Sequence, residues 1–164
     1  MLNLLLAFGL VAQDVPFSAS DVRAVTMAVL DDLIPPGGQM GARPVAGRPI
    51  LFDAVGTSKV FQRLTRVALP TPIALPRGAT AMDRDHAVRC AETRDCVVVN
   101  DGLFVQITDA MFTPASGELR VHCNLAWSSF VYDRHQIDGF DMDIVFKRDG
   151  AAWKIVRREN VVTG

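Results

Sequence analysis

The sequence predicts an α+β fold: a curved antiparallel β-meander packed against an N-terminal helix and one or two short helices. Three observations carry this. Residues 103–161 hold four runs in which apolar and polar residues alternate, separated by turn signals. Alternation of period two marks strands with one buried and one wet face, as in antiparallel sheets; strands buried on both faces read as continuous apolar runs. Residues 18–34 carry an apolar face at helical spacing. The chain has 164 residues, enough for one hydrophobic core without a structural metal or disulfide.

Residues 1–12, MLNLLLAFGLVA, are apolar and uncharged, and Asp14 is the first ionisable side chain. The run is too short to span a bilayer stably. It has the character of the apolar core of a secretory signal, with cleavage near Ala12–Gln13. No basic residue precedes it, and Leu10 is large for the third position before the cut. The alternative is a terminal strand or helix packed on the core. The expectation is export to a periplasm or the exterior, against cytoplasmic residence, with residues 13–164 as a single roll domain.

The spacing then predicts a helix over Ser18–Ile34. Ser18 or Ser20 suits the N-cap, Asp21 the first turn, and Pro35-Pro36-Gly37-Gly38 the stop. Residues 39–48 read as a loop, Ile50–Val55 as a short strand and Ser58–Ala68 as a short helix. Three prolines between residues 69 and 76 fix an extended connection. Ala79–Ala91 reads as a helix, Cys96–Val99 as a strand entering the sheet, and Asn100-Asp101-Gly102 as a turn.

The meander follows as Phe104–Thr108, Leu119–Ser128, Phe140–Lys147 and Ala152–Val161. Asp149-Gly150 supplies the positive φ of a tight hairpin. The link from Ser129 to Gly139 is longer, and its Tyr132, Asp133, Arg134, His135 and Asp138 make it a candidate functional loop.

Charge is balanced, with 17 basic and 18 acidic residues. No nucleic acid or anionic membrane surface is implied as a partner. The 14 arginines against 3 lysines are scattered rather than clustered.

Candidate chemistry is sparse. In an exporting compartment Cys90 and Cys96, in a turn-like setting, read as a disulfide that leaves Cys123 buried and free. A Cys96–Cys123 pairing, or three reduced thiols in the cytoplasm, are the alternatives. His86, Cys90, Cys96 and His122 match no common zinc spacing, so no metal and no cofactor are expected. Cys123 alternates away from His122, which argues against a nucleophilic pair. Arg120, His122, Asp141, Asp143, Lys147, Lys154 and Arg158 are expected on the outer, polar face, either as cross-strand charge pairs or as a homodimer surface. The apolar face, with Trp127, Phe140, Met142, Ile144 and Trp153, is core or, on a strongly curved sheet, the lining of a cone that accepts a small apolar ligand.

The order of elements resembles the cystatin-like α+β roll. Phe146-Lys147-Arg148-Asp149-Gly150-Ala151-Ala152-Trp153-Lys154-Ile155-Val156 resembles the last hairpin of the nuclear-transport-factor-2-like superfamily, where a strand, an Asp-Gly turn and a Trp-led final strand are common. The resemblance implies a cone-shaped pocket between helices and curved sheet, and often a dimer through the outer sheet face. Catalytic members place a carboxylate base and acid donors inside the cone. Here the inward positions are almost wholly apolar, and no catalytic residue carries over. The leading expectation is therefore a noncatalytic exported domain that binds a small apolar ligand or a protein partner through the cone. The alternative is a small isomerase, dehydratase or cyclase acting on a hydrophobic carbonyl substrate, with Asp53, Tyr132, His135 or Asp141 as acid and base.

Overall fold

A computed structural model describes residues 18–33, 39–40, 43–44, 47–65, 75, 78–92 and 95–163. The expected leader over residues 1–12 and most of the proline-rich connection lie outside the described residues. The elements in chain order are α1 (Ala19–Leu33), β1 (Gln39–Met40), β2 (Arg43–Pro44), β3 (Ile50–Phe52), α2 (Ala54–Thr65), β4 (Ala79–Ala81), α3 (Arg84–Ala87), β5 (Val88–Glu92) and β6 (Asp95–Val98). A 3₁₀ turn (Val99–Asp101) leads into β7 (Leu103–Thr113), β8 (Glu118–Val131), β9 (Arg134–Asp149) and β10 (Ala152–Thr163).

The main sheet has six strands in the order β10-β9-β8-β7-β3-β4. β7 to β10 form the expected meander, each antiparallel to the next. The other end corrects the expectation of a purely antiparallel sheet: β3 runs parallel to β7, and β4 parallel to β3. Parallel neighbours need a crossover connection, and the segment holding α2 is that connection between β3 and β4.

Local chemistry sets the helix starts. At α1 the Ser18 hydroxyl accepts the Asp21 N–H at 3.1 Å, and the Asp21 carboxylate accepts the Ser18 N–H at 2.9 Å. This reciprocal cap satisfies donors that a helix start leaves unpaired. α2 begins at Ala54 rather than at Ser58, because Asp53 ends β3 and caps the helix, its Oδ1 accepting the Gly56 N–H at 2.7 Å. The helix expected over residues 79–91 is instead β4, the four-residue α3 and β5.

The sheet buries apolar side chains on both faces. On one face Leu103, Val105, Val121, Leu125, Ile144 and Phe146 pack against Val22, Val25 and Val29 of α1 and Phe61 of α2. On the other, a smaller core joins Leu51, Phe104 and Ala126 to Ala87 and Val98. α3 and the β5–β6 hairpin therefore cover one end of the face expected to be wet.

The rest of that outer face carries charge. Arg120 reaches Glu159 at 2.7 Å and Asp143 at 3.6 Å, His122 meets Asp143 at 2.7 Å, and Arg157 holds Glu118 through two bonds. Asn124 donates to Asp141 at 2.8 Å. Arg158 is a correction: it pairs with Asp32 of α1, on the helix side. Between Ile155 and Arg157 the β10–β9 register shifts, and that extra residue exchanges the faces of Arg157, Arg158 and Glu159 before a second shift between Glu159 and Val162.

Candidate binding groove

The link expected as a loop between Ser129 and Gly139 is strand almost throughout. β8 and β9 pair without interruption up to Val131 and Arg134, so only Tyr132 and Asp133 turn the chain. Both have positive φ, 49° and 60°, as a tight primed hairpin turn requires. β7, however, begins at Leu103 opposite Trp127. The hairpin thus overreaches β7 by Ser128–Val131, and this stretch has β9 on one side only.

The β5–β6 hairpin packs beside the overreach. Cys90 and Cys96 are opposite each other in it and are joined as a disulfide. The Ser128 hydroxyl accepts the Val98 N–H at 2.7 Å, and the His135 N–H donates to Asp95 Oδ1 at 3.2 Å. Between this hairpin, the 3₁₀ turn and the overreaching edge of β8 lies a groove of about 520 Å³. Val97, Val98, Val99 and Phe130 supply apolar walls, and Arg89, Asp101, Ser129 and His135 also line it.

The polar groups of the groove differ in how far they are satisfied. The Asp101 carboxylate is taken by Arg48 at 2.8 Å. No hydrogen bond or ion pair is found for the exposed Arg89 guanidinium among the described residues. The Ser129 hydroxyl is buried and has no partner among the described residues, a state that costs about 1–3 kcal/mol. Phe130 is 52 % exposed and stacks edge-on against His135. The groove therefore offers apolar contact and one cation without a partner among the described residues.

The residues expected to supply acid and base are not brought together. Asp53 is committed to the α2 cap and also accepts from Gln106 Nε2 at 3.1 Å. Tyr132 stands at the hairpin tip, 95 % exposed. His135 lines the groove, and Asp141 lies on the outer face with Asn124 and His122. Trp127, Met142, Ile144 and Trp153 are buried in the larger core, and the half-buried Phe140 packs against it. Neither groove described here is lined by those five side chains.

A second groove, about 310 Å³, lies between Val55 at the start of α2 and Met82 beyond β4, with Asp83 and His86 at its rim. Asp83 caps α3 and meets His86 Nδ1 at 2.7 Å. The His86 side-chain and backbone hydrogen bonds lower the Asp83 pKa. Among the described residues no three His, Cys, Asp or Glu side chains are grouped to hold a metal, and no helix is long and apolar enough to cross a membrane.

Sequence reasoning singled out neither Arg89, Ser129 nor Phe130. The usable signal was the pair Cys90 and Cys96: a disulfide between facing positions makes residues 88–98 a hairpin, which puts Arg89 beside a strand end. Comparison with protein-family models, curated proteins and solved structures finds no match.

Proposed function

We propose that this chain is a noncatalytic, exported binding domain, and that its site is the groove beside the β8–β9 tip rather than the apolar helix face of the sheet. The observation that carries the reading is the groove itself, with its apolar walls and an Arg89 guanidinium that has no partner among the described residues. Apolar walls with a few polar groups are the usual composition of a small-ligand site. Trp127, Phe140, Met142, Ile144 and Trp153 belong to the larger core or pack against it.

Export draws support from the Cys90–Cys96 disulfide, since such bonds persist mainly in oxidising compartments. The cone-shaped roll and kinship with the nuclear-transport-factor-2-like superfamily belong to the same reading and rest on the order of the elements. The test is binding of anilinonaphthalene sulfonate, an apolar anion, followed by fluorescence and by amide chemical shifts of the folded chain. Shifts should gather on residues 97–101 and 128–135, and Arg89→Ala should weaken the binding. Shifts gathered on α1 and the helix side of β9 would instead return the site to the cone, and no binding would sink the proposal.

A further inference from the structure

We infer that the groove takes an extended peptide as an added β-strand beside β8, with an acidic side chain of that peptide meeting Arg89. This rests on reading the groove as a binding site and goes on to name the occupant.

The first argument is the ladder. In a hairpin with a two-residue turn the closing pair, here Val131 and Arg134, exchanges hydrogen bonds with itself. Pairs then alternate, so Ser129 bonds to Gln136, while the N–H and C=O of Phe130 point away from β9. Further along β8 the same parity holds, and the equivalent groups of Ala126 face Phe104 of β7. β7 stops short of Phe130, so its two backbone groups face the groove where a continuation of β7 would lie. A sheet edge of this kind recruits an extended segment by main-chain hydrogen bonds, with side-chain pockets giving the choice of sequence.

The second argument is charge. Two cationic or cation-capable side chains, Arg89 and His135, line the groove, and its one carboxylate, Asp101, is already neutralised by Arg48. The occupant that complements this lining carries a carboxylate toward Arg89 and apolar side chains toward Val97, Val99 and Phe130.

The experiment uses the full folded chain, isotope-labelled, and the capped hexapeptide acetyl-Val-Thr-Val-Glu-Val-Thr-amide. Its companions replace Glu by Lys, or carry N-methyl groups at alternate backbone positions of either parity. Binding should slow exchange of the Phe130 amide by about tenfold or more, and the Lys peptide should bind roughly two- to fivefold more weakly. N-methylation should abolish binding at one parity and be tolerated at the other. Arg89→Glu should reverse the Glu/Lys preference. Equal affinity for Glu and Lys peptides, equal tolerance of both N-methyl series, or binding without protection of Phe130 would each overturn the inference. Protection of Phe130 that rises with protein concentration and ignores the peptide would make a second copy the occupant and overturn it too. If anilinonaphthalene sulfonate shifts the groove resonances and no peptide does, this inference falls while the binding-site reading stands; if neither binds, both fall.

Discussion

Replacing Asp21 by Asn should loosen the join between α1 and the last strand of the sheet. One Asp21 oxygen takes both the N–H and the hydroxyl of Ser18, at 2.9 and 2.8 Å. The other accepts the buried Trp153 indole N–H at 3.1 Å and faces Arg148 at 3.4 Å. Burial alone would raise the Asp21 pKa, but the bonds from Ser18 and Trp153 and the charge of Arg148 outweigh it and hold the pKa below its ordinary value. An amide cannot replace this carboxylate: whichever way it turns, its NH₂ meets a donor from Ser18 or Trp153. Losing a charge-assisted bond and leaving a buried donor unpaired should together cost about 2–3 kcal/mol. For a domain of this size that lowers the melting temperature by roughly 5–10 °C. The linkage has a definite sign. A carboxyl with a depressed folded pKa contributes stability that is fully present above its unfolded value, near about 4, and lost as pH falls through the folded pKa. Urea unfolding followed by tryptophan fluorescence at pH 7, and again in steps below pH 4, measures both effects. In the Asn variant the acid-side loss should shrink by the Asp21 share. A variant within about 0.5 kcal/mol of the parent at pH 7, or a double-mutant cycle of Asp21→Asn with Trp153→Phe showing no coupling, would refute the reasoning.

Three further outcomes follow from particular residues. Gly56→Ala should destabilise by about 1–2 kcal/mol, because the new Cβ would fall 2.3 Å from Asp53 Oδ2, an oxygen that Gln106 also holds; calorimetry checks this, and an unchanged melting temperature would mean the cap moves freely. Cys96→Ser should cost about 2 kcal/mol from loop closure across a sequence separation of 6, with the largest gain in amide exchange at residues 88–98. In the same samples the buried Cys123 should resist iodoacetamide at pH 8 until the chain unfolds, since burial pushes its thiol pKa far above the ordinary range.

The meander was legible because its residues obey one rule: Leu119, Val121, Cys123, Leu125 and Trp127 alternate and are all buried. The β8–β9 turn was not, because Tyr132-Asp133 is not a usual pair for a tight hairpin. Its left-handed backbone is tolerated through Asp133 and sustained at Tyr132 by the paired strands around it. Arg158 was misplaced because a one-residue bulge leaves no mark in composition yet reverses the side chains from Arg157 to Glu159. The parallel seat of β3 beside β7 depends on a partner 53 residues away, since Ile50 pairs with Leu103, and no local pattern announces it. The groove was hidden for a related reason: it is an absence in the sheet, the place where β7 stops while its neighbour continues.

The attachments of α1 carry a temporal consequence. Its two ends are tied to Trp153 and Arg158, at sequence separations of 132 and 126. A chain emerging N-terminus first therefore presents α1 long before its anchors exist, with the apolar stripe of Val22, Val25 and Val29 uncovered. A version of the chain ending before Trp153 would keep the signals that start this helix and lose the surface that holds it. Such a chain would offer that stripe to whatever holds unfolded polypeptides, and the last strand is what ends that exposure.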